Sequence, residues 1–309
     1  AIAAGVVDFV LPPHEIAKEL MRISKHPYTR LNGSNKKEDE IDSNSTELRS
    51  VLGLLQRSFG VNFSLYKMST IKRRIMRRML LFKAKTLKEY SALLSQKKEE
   101  ADYLFNDLLI NVTSFFRDPE ACKYLKDSLF PRMLKSKKSG EALRIWVSAC
   151  STGEEAYSIA MMLLEIQDRQ FSRIPVQIFA TDLSNQAISK ARVGVYTKQE
   201  VELISPKRLQ RFFTRADGGY RISQMVREMV VFAPHNVLSD PPFSRIDFIS
   251  CCNLLIYFDI PAQQKALATF HYSLRPDGYL MLGKSETIGY STQLFSPFHK
   301  KLKVYSRKK

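Results

Sequence analysis

One short stretch near the middle of the chain limits its possible folds more than any other. Apolar residues dominate 143–147, a turn of small residues follows at 148–153, and a segment with helical character begins near Glu154. A strand, a small-residue turn and a helix N-terminus, in this order, form the usual cradle for a nucleotide-like ligand. The turn contains neither Gly-x-Gly-x-x-Gly nor Gly-Lys-Ser/Thr, so it does not indicate a pyrophosphate or a nucleoside triphosphate.

A second apolar run, 176–180, ends at Thr181-Asp182. An acidic residue at the end of the second strand of such a fold holds the ribose of a bound nucleoside, because one carboxylate can accept hydrogen bonds from two vicinal hydroxyls. The alternative role for Asp182 is the N-cap of the helix that begins near Ser184. An adenosine site without phosphate-binding residues points to S-adenosylmethionine, which carries a sulfonium in place of phosphates.

The composition indicates a globular protein with an acidic partner. Apolar residues make up 44% and charged residues 26% of the 309 residues, and the net charge is +17. Such a charge suits nucleic acid, anionic lipid or an acidic protein surface. The sequence contains no apolar stretch long enough to span a bilayer, no signal peptide, and four cysteines without zinc-ligand spacing. We therefore expect a cytoplasmic protein with no metal and no membrane-embedded part.

Changes in composition divide the chain into segments. Residues 1–30 read as a short strand, a Pro-Pro break and a helix, and the polar stretch 31–45 reads as a linker. Apolar residues at helical spacing predict an all-helical domain over 46–118. Strands and helices alternate over 119–309, which predicts a mainly parallel sheet, and a Gly-Gly turn indicates an antiparallel β subdomain inserted at about 197–233.

Three motifs in order carry a resemblance to a known family. Asn-Val-Thr-Ser-Phe-Phe-Arg-Asp stands at 111–118, Ser-Thr-Gly-Glu-Glu at 151–155 and Cys-Asn-Leu-Leu-Ile-Tyr-Phe at 252–258. With them, region 48–305 resembles the CheR-type chemotaxis receptor methyltransferases, which esterify glutamates of bacterial chemoreceptors. The resemblance implies a Rossmann-like class I S-adenosylmethionine methyltransferase sheet with a small inserted antiparallel β subdomain, preceded by an all-helical N-terminal domain. Residues 1–27 look like the end of a CheB-type methylesterase domain, so we expect a fragment of a methylesterase–methyltransferase fusion.

The resemblance also implies which residues form the site. It places S-adenosylmethionine, and after transfer the product S-adenosylhomocysteine, against eight residues: Asn111, Thr113, Arg117, Glu155, Asn236, Val237, Cys252 and Asn253. Asp182, from its position at the strand end, and Ala149, whose small side chain lets the backbone approach the ligand, complete the ten predicted cofactor residues. It places Arg117 and Tyr257 beside the methyl-accepting carboxylate, and these are the two predicted catalytic residues. Many relatives have arginine before the last asparagine of the site, where this chain has Cys252.

Structural roles compete with several of these assignments. Thr152 and Glu155 have the spacing of a capping box at the start of the helix. A carboxylate there also offsets the positive field that a helix N-terminus directs at a sulfonium. The alternative for Phe115, Phe116 and Tyr257 is a place in the core. The near-complete match to the family motifs favours the binding roles.

A basic segment of the helical domain is the candidate docking surface for a receptor. Positions 67–88 carry nine lysines and arginines and no acidic residue. Like charges four residues apart destabilise a helix by a few tenths of a kcal/mol, so their density favours an acidic partner over a merely solvated face. The predicted docking residues are placed opposite an apolar stripe and are Arg73, Arg74, Arg77 and Arg78. By resemblance, the partner is the acidic methylation helices of chemoreceptors.

One motif favours a different reaction. The tetrapeptide Asp-Pro-Pro-Phe at 240–243 matches the signature of methyltransferases that modify amino groups of adenine, glutamine or cytosine, in which it directly follows the fourth strand. Here it precedes the strand predicted at 246–251, where Pro-Pro reads as a turn. Nucleic-acid or protein-amide N-methylation and a non-catalytic cofactor-binding scaffold are thus the alternatives to glutamate O-methylation. Nucleic acid is also disfavoured because aromatic residues do not alternate with the basic ones.

Overall fold

The computed structural model describes residues 9–25, 41–43, 45–138, 140–170 and 174–309. The chain forms two compact units, Ala1–Ile110 and Asn111–Lys309. Most of the predicted linker at 31–45 lies outside the described residues, as do residues 1–8 of the methylesterase-like segment. The motif at 111–118 belongs to the second unit.

Helices make up the described part of the first unit. Their bounds are Pro13–Ser24 (α1), Thr46–Phe59 (α2), Met68–Leu81 (α3), Leu87–Gln96 (α4) and Lys98–Leu108 (α5), with a 3₁₀ turn at Phe63–Leu65. Helix α2 begins after Ser45, whose side chain accepts a hydrogen bond from the Leu48 N–H, and ends at Gly60 with a φ of 72°. Its buried residues are Leu48, Val51 and Leu55. This is the apolar stripe that helical spacing in the sequence indicates.

Helix α3 corrects one predicted docking residue. Ile71 and Ile75 are buried, but so is Arg78, which is 8% exposed. The reason is helical phase: Arg78 follows Ile71 by about two turns and therefore lies on the same face. Its guanidinium donates hydrogen bonds of 3.0 and 2.5 Å to the Glu100 carboxylate, which also accepts one of 2.7 Å from the Tyr90 hydroxyl. Arg78 is a buried ion-pair residue, and its predicted docking role is wrong.

The other three predicted docking arginines differ in exposure. Arg73 is exposed and Arg74 is half-buried. Arg77 donates a hydrogen bond of 2.8 Å to the Asp107 carboxylate, so its charge already has an acidic partner within the first unit. Arg73, Arg74 and Arg77 stay the predicted docking residues, although Asp107 already offsets part of the Arg77 charge.

Substitution of Arg78 should destabilise the protein strongly. We expect Arg78→Ala to lower the free energy of unfolding by about 3–5 kcal/mol, because it leaves the Glu100 carboxylate buried without its cation. Arg73→Ala, the matched change on an exposed position of the same helix, should alter it by about 0.5 kcal/mol or less. Urea unfolding followed by circular dichroism measures both values. Equal losses in the two variants would show that the Arg78–Glu100 pair adds no stability.

The second unit alternates strands and helices. Its helices are Pro119–Tyr124 (α6), Phe130–Lys135 (α7), Glu154–Gln170 (α8), Asn185–Val193 (α9), Pro206–Phe212 (α10), Gln224–Arg227 (α11) and Ile260–Ser273 (α12), with a π-helical turn at Leu125–Leu129 and a 3₁₀ turn at Leu255–Tyr257. Its strands are Leu143–Ser148 (β1), Val176–Asp182 (β2), Val195–Tyr196 (β3), Phe213–Ala216 (β4), Gly219–Ile222 (β5), Val230–Pro234 (β6), Ile246–Cys251 (β7), Leu274–Leu282 (β8), Phe295–His299 (β9) and Val304–Arg307 (β10). Within the described part of the chain, no helix is both long enough and apolar enough to cross a bilayer.

The main sheet places the carboxyl ends of several strands at one edge. Its order is β6-β2-β1-β7-β8-β10-β9. Strands β6, β2, β1, β7 and β8 pair in parallel, whereas β10 pairs antiparallel with β8 and with β9. Every residue of β7 is buried, as expected of a parallel strand covered by helices on both faces. The predicted Rossmann-like α/β fold is confirmed, and the loops after β1, β2, β7 and β8 share one edge.

A smaller antiparallel sheet, β3-β5-β4, lies in the inserted segment, which confirms the predicted β subdomain. Strands β4 and β5 form a hairpin in which Ala216 pairs with Gly219. A Cβ on Gly219 would collide with the carbonyl oxygen of Tyr196 on β3. The close approach of these strands therefore requires glycine.

A buried carboxylate lies at the side of the main sheet where the parallel strands begin. Asp247 near the start of β7 is 6% exposed. It accepts hydrogen bonds of 2.7 Å from Lys137 Nζ and 2.8 Å from the Arg144 N–H. These donors offset the cost of burying the charge, so Asp247 stabilises the edge opposite the loops after β1, β2, β7 and β8.

Candidate active site

The loop after β1 has a backbone that few residues adopt. Ala149 and Ser151 have φ values of 57° and 50°, and Gly153 has one of 97°. A Cβ on Gly153 would lie 2.9 Å from the Ala191 Cβ and 3.1 Å from the Phe232 ring, so both conformation and space require glycine. Small residues thus allow the sharp turn between β1 and α8, as the sequence predicts.

Asp182, at the end of β2, shapes this loop. Its carboxylate accepts hydrogen bonds from the Ser151 N–H at 2.8 Å and the Ser184 N–H at 2.9 Å. Ser184, not Asp182, is the N-cap of α9, because its side chain accepts the Ala187 N–H; the N-cap alternative for Asp182 is wrong. Burial raises the pKa of Asp182, although these backbone hydrogen bonds oppose the shift. Asp182 thus brings a carboxylate to the carboxyl edge of the sheet.

Glu155 lies in the first turn of α8 without forming a capping box. Thr152 Oγ1 lies 2.8 and 2.7 Å from the two carboxylate oxygens of the neighbouring Glu154. Glu155 instead accepts hydrogen bonds from the Ser250 hydroxyl and the Cys252 thiol, so the capping-box alternative is wrong. Burial raises the pKa of Glu155, although both hydrogen bonds oppose the shift. The Glu155 carboxylate therefore faces the carboxyl end of β7.

Two phenylalanines hold the segment that precedes α6. Phe115 is 1% exposed and packs edge-on against Tyr196, with ring centroids 4.8 Å apart. Phe116 has a φ of 50°, and its N–H donates a hydrogen bond of 3.0 Å to Ser158 Oγ. The Arg208 guanidinium lies 4.0 Å from the centre of the Phe116 ring, a cation–π distance. Both rings are thus fixed by contacts from distant parts of the second unit.

Arg117 follows these rings and lies at the surface. Its side chain is exposed, and Nη1 donates a hydrogen bond of 2.9 Å to the Val112 carbonyl oxygen. The positive charge of Arg117 lowers the pKa of Glu155, against the larger effect of burial. The two side chains are therefore close enough to interact electrostatically.

A cavity of about 250 Å³ lies where these elements meet. Its wall is formed by the segment before α6, by α6 and α8, by the turn after β7 and by the end of β8. Five of the predicted site residues line it: Thr113, Arg117, Glu155, Cys252 and Asn253. The other predicted residues are not among those that line it: Asn111, Ala149, Asp182, Asn236, Val237 and Tyr257. Leu125 and Met162 contribute an apolar part of the wall, and Asp118 and Lys284 line the cavity as well as Glu155 and Arg117. The cavity therefore combines apolar surface with two acidic and two basic groups.

The turn after β7 is held by a buried carboxylate. Asn253 has a φ of 62°, and its N–H donates a hydrogen bond of 2.8 Å to Glu286. Glu286, which is 3% exposed, also accepts the Gly283 N–H at 2.7 Å and the Ile256 N–H at 3.3 Å. Glu286 therefore ties the turn after β7, which carries Cys252 and Asn253, to the end of β8.

The loop after β6 carries Asn236 and Val237 and explains the Asp-Pro-Pro-Phe motif. The Asn236 side chain accepts the Leu238 N–H at 3.0 Å, and the Asn236 N–H donates to the Asp240 carboxylate at 2.8 Å. Val237 is 7% exposed. The motif lies before the amino end of β7, whereas the cavity lies after its carboxyl end. Asp240 thus serves loop structure here, and this placement does not support N-methylation.

Tyr257 and Asn111 also lie outside the cavity lining. Tyr257 ends the 3₁₀ turn that begins two residues after Asn253, and it is half-buried. Asn111 is the first residue of the second unit and is exposed. Their roles toward the substrate and the cofactor stay predictions.

Sequence reasoning missed four residues that shape the site: Ser158, Arg208, Ser250 and Glu286. Of these, only Ser250, a serine inside the apolar strand at 246–251, is unusual enough to be noticed in the sequence. Ser158 and Arg208 act on Phe116 through tertiary contacts, for which no local pattern exists. Among the described residues, no group of three histidine, cysteine or acidic side chains is placed to hold a metal ion.

Comparison with protein-family models identifies the family. The model described as "CheR methyltransferase, SAM binding domain" matches residues 111–304, and that described as "CheR methyltransferase, all-alpha domain" matches residues 46–109. The chain belongs to the CheR methyltransferase family. As a CheR methyltransferase it uses S-adenosylmethionine, and the two matched regions meet where the two compact units divide. Neither family model covers 1–45, so the methylesterase fusion stays a prediction.

Individual relatives agree with the family. A chemotaxis protein methyltransferase of Listeria monocytogenes is 33% identical over 76% of this CheR chain and 87% of its own length. One from Escherichia coli K12 is 32% identical over 80% of this chain and 86% of its own. An uncharacterized 104.1 kDa protein of Rhodobacter capsulatus is 40% identical over 78% of this chain, which spans only 25% of that protein. CheR sequences of this kind thus occur in proteins of very different length.

Proposed function

We propose that this CheR methyltransferase transfers the methyl group of S-adenosylmethionine to glutamate side chains on the cytoplasmic methylation helices of chemoreceptors. The observation that carries the proposal is that Glu155 and the exposed Arg117 line one cavity. A carboxylate suits a sulfonium cofactor, and a guanidinium suits the carboxylate of a glutamate substrate. The names of the Listeria and Escherichia relatives support a chemotaxis role.

The described residues fit this cofactor. A helix N-terminus alone disfavours a cation, and Glu155 in the first turn of α8 reverses the sign of that field. Asp182 would accept hydrogen bonds from the ribose hydroxyls, since it already stands at the end of β2 beside the loop after β1. The family resemblance gives the remaining contacts to Asn111, Thr113, Arg117, Asn236, Val237, Cys252 and Asn253. The small side chain of Ala149 would let the backbone approach the ligand. When bound, S-adenosylmethionine supplies an activated methyl group.

The proposed reaction is an in-line displacement. An oxygen of the glutamate carboxylate forms a bond to the methyl carbon, the carbon–sulfur bond breaks, and its electron pair stays on sulfur, which leaves neutral S-adenosylhomocysteine. A glutamate is already ionised at neutral pH, with an ordinary pKa of about 4.3, so no general base is needed. Catalysis then rests on positioning, which can supply about 7–11 kcal/mol.

Arg117 and Tyr257 are the residues proposed to position the substrate. Arg117 is exposed and lines the cavity, so a receptor helix can bring a carboxylate to it. A tight bidentate pair would lower the nucleophilicity of that carboxylate, so Arg117 orients it rather than clamps it. Tyr257 would hold the carboxylate in line with the methyl group.

The helical unit contributes the proposed docking surface. Arg73 is exposed on α3, and Arg74 and Arg77 are half-buried. Their charges suit the acidic methylation helices of a receptor. Such docking raises the concentration of substrate glutamates near the cavity without a direct part in the chemistry.

Base lability of the transferred label tests the proposed function. The enzyme is incubated with membranes that contain chemoreceptors and with S-adenosylmethionine labelled in the methyl group, and the washed membranes are treated with mild base. We expect release of the label as volatile methanol, because a carboxyl methyl ester hydrolyses under these conditions. The matched control is a receptor whose methylation-site glutamates are replaced by alanine, which should take up no label. Base-stable label, or equal labelling of the control, contradicts glutamate O-methylation.

A further inference from the structure

The proposed reaction leaves one buried acidic group at the cavity unused. Glu286 accepts the N–H groups of Asn253, Gly283 and Ile256, and two of these residues, Asn253 and Gly283, line the cavity. A Cβ on Gly283 would lie 2.7 Å from a Glu286 carboxylate oxygen and 3.0 Å from the Asn253 nitrogen. The carboxylate is therefore tightly enclosed directly behind the cavity wall.

Glu286 fixes both sides of the turn that follows β7. The Asn253 N–H belongs to a residue in the left-handed region, with a φ of 62°, and Glu286 supplies its acceptor. The Ile256 N–H lies in the 3₁₀ turn that ends at Tyr257. One carboxylate therefore holds a predicted cofactor residue, Asn253, and the backbone that carries a predicted catalytic residue, Tyr257.

The charge of Glu286 also reaches the cavity. It raises the pKa of Glu155 and of Cys252, although burial is the largest cause of both shifts. In the described part of the chain no lysine or arginine pairs with Glu286; the neighbouring Lys284 is exposed, and its Nζ lies 3.1 Å from the Asp118 carboxylate instead. The part of the cavity wall that contains Cys252 and Asn253 therefore has a carboxylate in the wall itself, Glu155, and a second one bonded to its backbone, Glu286.

We propose that Glu286 is a positioning residue that also favours a positively charged ligand. It fixes the turn at Cys252-Asn253, and it adds a second negative charge that favours binding of the sulfonium over the neutral thioether product. The inference rests on the proposed function and deepens it, because it assigns Glu286 to the difference between S-adenosylmethionine and S-adenosylhomocysteine. These two ligands share the adenosine and the amino acid and differ in the methyl group and one positive charge.

Calorimetric titration of both ligands into the whole chain tests this role without any receptor. Glu286→Gln removes the charge and turns one acceptor into a donor. We expect weaker binding of both ligands and a further loss for S-adenosylmethionine, so that the ratio of the two Kd values shifts about fivefold towards the product. Glu286→Asp keeps the charge but shortens the side chain, so it should weaken both ligands by the same factor.

Asp247→Asn is the matched control. Asp247 is also a buried carboxylate that accepts a backbone N–H, but it lies at the amino edge of the sheet. This variant should lose thermal stability and keep the wild-type ratio of Kd values.

An unchanged ratio in Glu286→Gln, or an equal shift in Asp247→Asn, overturns the electrostatic role. If Glu286→Gln does not fold, unaltered affinity for both ligands in Glu286→Asp overturns the positioning role. Failure of receptor methylation leaves these binding results standing, so the two proposals are separable.

Discussion

Arg117→Ala should lower kcat/KM for receptor methylation by about 10²- to 10³-fold, with a much smaller loss of affinity for S-adenosylmethionine. Arg117 is exposed on the segment held by Phe115 and Phe116, and it lines the cavity with Glu155. Without its guanidinium the substrate carboxylate can still enter, but it is rarely held in line with the methyl group. Initial rates with labelled cofactor and receptor membranes, together with calorimetric binding of the cofactor, measure the two effects.

Two further variants separate geometry from charge. Arg117→Lys keeps the positive charge but loses the planar fork that orients a carboxylate, so it should recover only part of the activity. Arg169→Ala removes an exposed arginine at the far end of α8 and should behave as wild type. Near wild-type turnover of Arg117→Ala would remove this residue from the mechanism.

Glu155→Gln should lower affinity for S-adenosylmethionine by about 30-fold or more and yet raise thermal stability. Burial raises the pKa of the Glu155 carboxyl group. The folded protein without cofactor therefore binds a proton at this carboxyl group more tightly than the unfolded chain does. Its ionisation therefore costs stability as pH rises above the ordinary glutamate pKa of about 4.3. The gain in melting temperature should be present at neutral pH and vanish towards pH 4, as thermal unfolding across that range would reveal.

Glu154→Gln is the control for this prediction. Glu154 is the neighbouring carboxylate in the same turn of α8, is buried, and has a pKa that burial also raises. Its oxygens bind Thr152 rather than the residues of the cavity, so this variant should keep wild-type cofactor affinity. The assignment of Glu155 to the cofactor fails if both variants lose affinity to the same extent. In the wild type, affinity for the sulfonium should rise with pH as Glu155 ionises.

Local patterns in the sequence predict most of the fold and part of the site. The strand, turn and helix around 143–160, and the acid at the end of β2, depend on short-range spacing, and the structure places them as expected. The motifs at 111–118 and 252–258 bring Thr113, Arg117, Cys252 and Asn253 to one cavity. These residues can be predicted from the sequence because each lies next to the strand or helix that positions it.

The sequence predictions were wrong where helical phase or a tertiary contact determines the position of a side chain. The density of positive charge on α3 suggested an outward face, but Arg78 shares the buried phase of Ile71 and finds Glu100 on another helix. The predicted capping box requires α8 to begin at residue 153, but the helix begins one residue later, at Glu154. The Glu155 side chain therefore faces Ser250 instead of capping the helix. Glu286 could not be assigned from the sequence, since its three donors come from two strand ends that only the folded sheet brings together.

The four cysteines make the molecule well suited to chemical labelling. Burial raises the pKa of Cys122 to about 11 and raises those of Cys150, Cys251 and Cys252 well above the ordinary thiol value. Thiolates are the species that react with maleimides, so the native side chains should react more slowly at neutral pH than an exposed cysteine with an ordinary pKa. A single cysteine introduced by Ser69→Cys, at an exposed position of α3 outside the predicted docking residues, would then be the preferred attachment point for a fluorophore. Receptor docking could in this way be followed optically in an otherwise unaltered enzyme.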